Sequence, residues 1–396
     1  MKNILFITWD GPQTNYMEGL FMPILSQVQM QSEYIFHIVQ FTWSAPEKIM
    51  ITQKIAQDFH LVYSSRTIDR KPIAVLGNLF TVYKGIQFLK KYIKNNNISI
   101  VMPRSTMPAI MINRIPKRNF KVVFDADGLP IEERADFSGL SRNSKQYQFF
   151  KKEEFKMLLK ADVVLTRSHE AINIHSQTLE NTNLNKFSVV LNGRNTDFFK
   201  PNPSERQKIR KELSLSDQAK LLIYCGSLGP QYGWDEMMAI FRKYQEKNPS
   251  ALFLILTGNV AFANERISPA FKKSIIVLKV PFAVVPNYLS VADVAFAIRE
   301  PKFSMQGVAP IKLGEYLLMG IPTIASVGIG DTEQILNGVP NCFLYHHQNP
   351  NRVDDAVLFI DGLGKTNFEE IRKYAIPFCS IEKSAESYCN ALDKLR

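Results

Sequence analysis

Cysteine is scarce: the four in 396 residues (Cys225, Cys342, Cys379 and Cys389) form no Cys-x-x-Cys pair and no spaced framework. Free thiols in a reducing compartment are expected, rather than a disulfide scaffold. Long hydrophobic runs are missing too. The opening MKNILFITWDGPQ is broken by Asp10 before it reaches signal-peptide length, and no window approaches about 18 uninterrupted apolar residues. Nothing is therefore expected to cross a membrane, and a cytoplasmic location is expected. No G-x-G-x-x-G follows the first strand candidate and no P-loop occurs, which argues against an NAD enzyme and against a P-loop NTPase. No helix-turn-helix, zinc-finger or RNA-binding motif is legible, so no nucleic-acid partner is expected.

What is present reads as a globular enzyme, with 45% apolar and 21% charged residues and enough length for two domains. Short β-branched runs alternate with amphipathic stretches. The strand candidates are 3–9, 34–41, 98–102, 121–126, 162–167 and 187–193, then, after the polar FKPNPSERQK, 220–226, 251–258, 274–279, 293–298, 321–326 and 342–346. Strand followed by helix followed by strand predicts parallel sheets covered on both faces. The expected fold is α/β, with two Rossmann-like doubly wound domains facing across a cleft: residues 1–200, residues 201–380, and a C-terminal helix, 381–396, packing back on the first domain. Ligands in such folds sit at the carboxyl ends of the strands.

The net charge of +11 is uneven: residues 1–200 carry 26 Lys and Arg against 17 Asp and Glu, while the rest carry 22 against 20. The densest basic parts are Lys90, Lys91 and Lys94, then Lys117, Arg118 and Lys121, then KQYQFFKKEEFKMLLK. Such a surface attracts anionic lipid headgroups or phosphorylated acceptors, and the anionic membrane surface leads, giving an expected peripheral location on the cytoplasmic face. A plainly solvated helix face is the alternative.

The stretch VVFDADGLP (122–130) delivers two carboxylates at the end of a strand, a pattern used by phosphatase nucleophiles, by metal clamps for nucleotide sugars, and by ordinary strand ends. A later segment, FSMQGVAPIKLGEYLLMGIPTIASVGIGD (303–331), narrows the choice. A small-residue loop runs into a helix with Pro310 in its first turn, and Gly320 and Pro322 close it. The backbone N–H groups of about Gly307 to Ile311, Val308 among them, are expected to meet a phosphate there. Lys312 opposes the helix dipole unless an anion pairs with it. Glu315, one turn beyond Ile311, is placed to accept the vicinal hydroxyls of a ribose.

The run APIKLGEYLLMGIPTIAS resembles the nucleotide-sugar signature of family 4 glycosyltransferases of the two-Rossmann-domain (GT-B) fold, in the subgroup reading Pro-x-Lys-x-x-Glu-Tyr-x-x-x-Gly-x-Pro. VVLNGRNTDFFKP, LLIYCGSLGPQYGWDEMM, VPNYLSVADVAF and GIGDTEQIL are similar to the family's other motifs, in the same order. The resemblance implies transfer of a sugar from a nucleoside diphosphate sugar to a hydroxyl, with retention; the expected mechanism uses no metal or other cofactor, and the expected acceptor is a lipid-linked or cell-surface glycan precursor. Two departures stand out. Gly307 occupies the position of the family's first glutamate, eight before Glu315, and Ser227, after Gly226, and Tyr232 replace the Arg and Lys that hold the diphosphate. Charge compensation is then expected from Lys312, Arg299, backbone amides or the loop DGPQTNYMEG. That loop corresponds to the family's glycine loop, with Gly11 on the donor side and Gln13 and Thr14 on the acceptor side.

The phosphatase reading of VFDADGL is weakened by Leu129 where Thr or Val is required and by Ile335 where the second metal acid should lie. Two sheets joined by a linker contradict the single-domain metal clamp, and no metal ligands are assigned. Asp127 is expected to face the sugar as base or acceptor-orienting group, Asp125 to be structural, and Arg104 to pair with a phosphate or with Asp127. The departures also leave open a nucleotide-sugar-binding partner subunit without activity.

Overall fold

The computed structural model describes residues 2–12, 15–71, 73–116, 119–216, 219–364 and 367–395. The chain divides into two compact units. The first comprises Met1–Gly193, Gln306–Val308 and Ile381–Arg396; the second comprises Arg194–Met305 and Ala309–Ser380.

The first unit holds a seven-stranded parallel sheet built from β1 (Lys2–Asp10), β2 (Tyr34–Thr42), β3 (Val62–Thr67), β4 (Ile98–Pro103), β5 (Lys121–Asp125), β6 (Val163–Thr166) and β7 (Phe187–Val189). Its order is β3-β2-β1-β4-β5-β6-β7. The central strands are apolar on both faces because helices cover both. Ile4, Leu5, Phe6 and Ile7 of β1 are fully buried, and so are Val122 and Val123 of β5. β3, VYSSRT, was not among the expected strands. It is an edge strand, largely exposed and paired only with β2, so it needs no apolar run.

The helix Ile381–Asp393 packs on the helix Met22–Met30 of this unit. Ser387 Oγ accepts the Leu191 N–H at 3.1 Å and Ser384 Oγ donates to the Leu191 carbonyl, so the segment after β7 is held by the end of the chain.

The second unit holds six parallel strands: β8 (Leu221–Cys225), β9 (Leu252–Leu256), β10 (Ile275–Leu278), β11 (Val294–Ala297), β12 (Thr323–Ser326) and β13 (Cys342–Tyr345), in the order β10-β9-β8-β11-β12-β13. Chain order reverses beside β1 in the first sheet and beside β8 in the second. At those reversals the crossovers leave to opposite faces and open a crevice at the carboxyl ends of the strands. No described helix is long and apolar enough to cross a membrane.

Candidate functional site

In the first unit the strand ends beside the reversal carry charge. Asp10 ends β1, Arg104 follows β4, Asp125 ends β5 and Arg167 follows β6. Arg104 Nη2 donates to Asp127 Oδ2; Nη1 lies 4.0 Å from Asp10 Oδ1 and Nε 4.0 Å from Asp125 Oδ2. Arg167 Nη2 donates to Asp125 Oδ2 at 2.7 Å, and its Nε lies 3.8 Å from Asp127 Oδ1. Three carboxylates therefore share two guanidiniums in a largely dry site. Burial pushes the Asp125 carboxyl up, against the pull of Arg167 and Arg104. Arg104 is held above its ordinary value, because Asp127, Asp125 and Asp10 outweigh burial.

The three carboxylates differ in access. The Asp125 side chain is sealed at 0% exposure, whereas that of Asp127 keeps 28%. The backbone arranges this difference: Asp127 (φ 57°) and Gly128 (φ 85°) are both left-handed, turning the chain sharply off β5. Buried His175 brackets the turn, its Nε2 donating to the Gly128 carbonyl at 3.1 Å. Ser105, next to Arg104, also has positive φ (64°) with ψ −168°, a region costly for a side-chain-bearing residue and commonest at functional sites.

Gly307 belongs to this unit and lies against Gly128 and Leu129. A Cβ on Gly307 would meet Leu129 Cγ at 2.8 Å and Leu129 N at 2.9 Å, and one on Gly128 would meet the Gly307 carbonyl oxygen at 2.4 Å. Val308, beside it, is half-buried. At Gly11, after β1, a Cβ would come 2.7 Å from the Trp43 ring. Gln13 and Thr14 lie outside the described residues.

In the second unit, the helix Ile311–Leu318 starts after Pro310, which stands at its N-cap rather than within its first turn. Tyr316 fastens this helix to the end of β8: its hydroxyl accepts the Cys225 N–H at 2.8 Å and donates to the Cys225 carbonyl at 3.3 Å. Lys312 is thereby fixed over Gly226, whose φ of 147° and missing side chain make room for it; a Cβ there would lie 2.9 Å from Nζ. Lys312 Nζ donates to Tyr224 Oη at 2.6 Å, and the Tyr224 hydroxyl in turn donates a hydrogen bond to the Ser227 carbonyl.

The rings of Tyr224 and Tyr232 lie 4.0 and 4.4 Å from Lys312 Nζ. Arg299 stacks on Tyr232 at 5.0 Å, and its buried Nε has no hydrogen-bond partner among the described residues. Among the described residues no carboxylate lies within ion-pair distance of Lys312. Burial, and next the Arg299 charge, push its pKa well below the ordinary lysine value. A buried lysine with no anion beside it is biased toward its neutral form, and a bound anion would favour its charge. One turn on, Glu315 receives Arg194, from Nε at 2.8 Å and Nη2 at 2.7 Å.

The structure thus assembles two groups: Arg104 with Asp127 in the first unit, and Lys312, Gly226, Ser227, Arg299 and Glu315 at the β8 reversal in the second. Arg167, Arg194 and Tyr224 had not been singled out. For Arg167 the available signal was a cation directly after a strand, matching Arg104 after β4. Arg194 lay inside the quoted VVLNGRNTDFFKP without a role.

No protein-family model matches the chain. No curated protein matches it. Solved structures do. The HepE structure from Anabaena in complex with UDP and glucose is similar with a TM-score of 0.71 at 14% identity, over 99% of this chain and 100% of that one. Sucrose-phosphate synthase from Thermosynechococcus elongatus gives 0.69 at 14%, over 100% and 99%. The lipopolysaccharide outer core galactosyltransferase WaaB gives 0.62 at 16%, over the whole of both chains. These likenesses establish the fold: two parallel sheets in the α/β arrangement of GT-B glycosyltransferase structures.

Proposed function

We propose that the chain transfers a hexose or related sugar from a nucleoside diphosphate sugar to a hydroxyl on a lipid-linked or cell-surface glycan precursor, with retention at the anomeric carbon. The observation that carries this reading is buried Lys312, with no carboxylate partner among the described residues, at the start of the helix Ile311–Leu318 and beside Gly226, one turn before Glu315. A diphosphate supplies the anion that Lys312 lacks, and the first-turn N–H groups add their dipole. Glu315 then takes the ribose hydroxyls. Solved relatives in fold that bind UDP and glucose support a uridine donor.

The leaving diphosphate would be stabilised by Lys312, Arg299 and amides, with no metal required. The Arg and Lys replaced by Ser227 and Tyr232 are offset, because Tyr232 gathers Arg299 and Lys312 on its ring. In the first unit, Asp127 is the accessible carboxylate proposed to orient or deprotonate the acceptor, with Arg104 holding it. Asp125, sealed and gripped by Arg167, is poorly placed to be a phosphatase nucleophile.

The test is a thermal-shift screen of nucleotide sugars followed by assay of nucleoside diphosphate release with a lipid acceptor. Binding without release by any donor would leave a partner subunit without activity. Magnesium-dependent phosphate release abolished by Asp125→Asn would leave the phosphatase.

A further inference from the structure

The helix Ala74–Asn95 buries one face, with Val82, Ile86 and Leu89 against the first unit's core. Its opposite face is also apolar. Val75, Leu76, Leu79, Phe80 and Tyr83 recur at the i, i+4, i+8 spacing of one helical stripe and are 50% to 64% exposed, with Ile73 just ahead of them at 61%. Six large apolar side chains within eleven residues make a contiguous patch of the kind that marks an interaction surface.

The charge on the helix itself has one sign. Residues 70–97 contain Arg70, Lys71, Lys84, Lys90, Lys91 and Lys94, and no Asp or Glu. The outward stripe continues into Gln87, Lys90 and Lys94, all exposed. Lys84 Nζ lies 3.9 Å over the Phe80 ring, so a cation rides directly on the apolar stripe. The lysines are too frequent for the helix to span a bilayer. Apolar side chains on one face with ammonium groups beside and beyond them suit a helix lying in the headgroup plane.

The position of the stripe also matters. The helix follows β3, so its first turns lie at the carboxyl end of the first sheet. Arg70 packs over Trp43 at 4.8 Å, and Trp43 abuts Gly11. The apolar stripe is therefore at the same end as Gly11, Asp10 and Arg104.

We propose that this face of the helix Ala74–Asn95 docks on an anionic lipid bilayer, the apolar stripe entering the headgroup region and the lysines engaging lipid phosphates. Complementary charge selects a bilayer over a second copy of the chain, whose matching face would bring like charges together. The proposal rests on the glycosyltransferase reading for its use, the delivery of a lipid-linked acceptor to the carboxyl end of the first sheet. Its test does not need that reading.

The full chain is mixed with vesicles of phosphatidylcholine, with and without about 30 mol % phosphatidylglycerol, in the absence of any nucleotide sugar, and sedimented. Binding to the anionic vesicles is expected. It should fall at least about tenfold in Leu79→Ser/Phe80→Ser, and in Lys84→Glu/Lys90→Glu, while melting temperature and donor-induced thermal shift stay unchanged, because all four side chains are exposed. Wild-type protein left in the supernatant, or variants that sediment like it, would overturn the proposal. So would an equilibrium dimer that Leu79→Ser/Phe80→Ser dissociates without any vesicle binding. The donor-induced shift is read separately, so loss of vesicle binding and loss of donor binding identify which reading has failed.

Discussion

Arg194 grips Glu315 Oε1 with two nitrogens, Nε at 2.8 Å and Nη2 at 2.7 Å. The carboxylate is thus oriented by its Oε1, and the proposed role of Glu315 is to accept a ribose hydroxyl. Glu315→Ala should weaken nucleoside diphosphate binding by about 10- to 100-fold, the range of one hydrogen bond to a charged group, measured by calorimetry. Arg194→Ala strands a largely buried carboxylate and should cost about 3 kcal/mol of stability as well. Unchanged affinity in both variants would remove the ribose role.

Lys312 should trade stability for binding. Burial and Arg299 hold its pKa well below 10.5, so at any pH below 10.5 folding must either expel its proton or bury its charge. That cost vanishes above the unfolded value. Lys312→Met removes it, while Tyr224 still donates to Ser227, so the ligand-free variant should melt higher than wild type. Its donor affinity should fall sharply. In the wild type a bound diphosphate favours the charged amine, so binding should take up a proton across the alkaline range below 10.5 and weaken as pH rises. Calorimetry in two buffers of different ionisation enthalpy reads the uptake, and a buffer-independent enthalpy would refute it.

The two carboxylates after β5 should separate in their effects. Asp127→Asn keeps a hydrogen-bonding group of the same size at an accessible position and should reduce turnover far more than donor affinity or melting temperature. Asp125→Asn leaves the Arg167 guanidinium buried beside a neutral amide and should destabilise the first unit by about 3–5 kcal/mol in denaturant titration. The reverse ranking would exchange their roles.

Gly307→Glu, which introduces the residue common at this position in the family that the signature resembles, should not improve activity. Its Cβ would meet Leu129 at 2.8 and 2.9 Å, the second contact being to a backbone nitrogen that cannot swing away. A loss of about 1–3 kcal/mol in stability is expected, read as a lower melting temperature.

The strands that form the two sheet centres were legible because burial on both faces demands uninterrupted apolar runs, as in ILFI of β1 and LLIY of β8. β3 escaped because an edge strand has no such demand. Lys312 and Glu315 were legible because they sit one turn apart on one helix. The groups that determine their states were not: Arg194 meets Glu315 across 121 residues, Tyr224 meets Lys312 across 88, and Arg167 meets Asp125 across 42. Such pairs depend on which strands become neighbours, and no local spacing encodes that. The left-handed turn at Asp127 was likewise hidden, since only Gly128 signals it in the sequence.

Leu191, pinned by Ser384 and Ser387, makes the first unit discontinuous. Residues 194–380, apart from Gln306–Val308, behave as a long insertion within a protein whose sheet comes before it and whose last helix comes after. A fragment cut after Gly193 would expose the apolar face of the helix Met22–Met30, whereas one that joins residue 193 to residue 381 through a short linker would restore it. Dividing the gene in the middle would therefore spoil the first unit and spare most of the second.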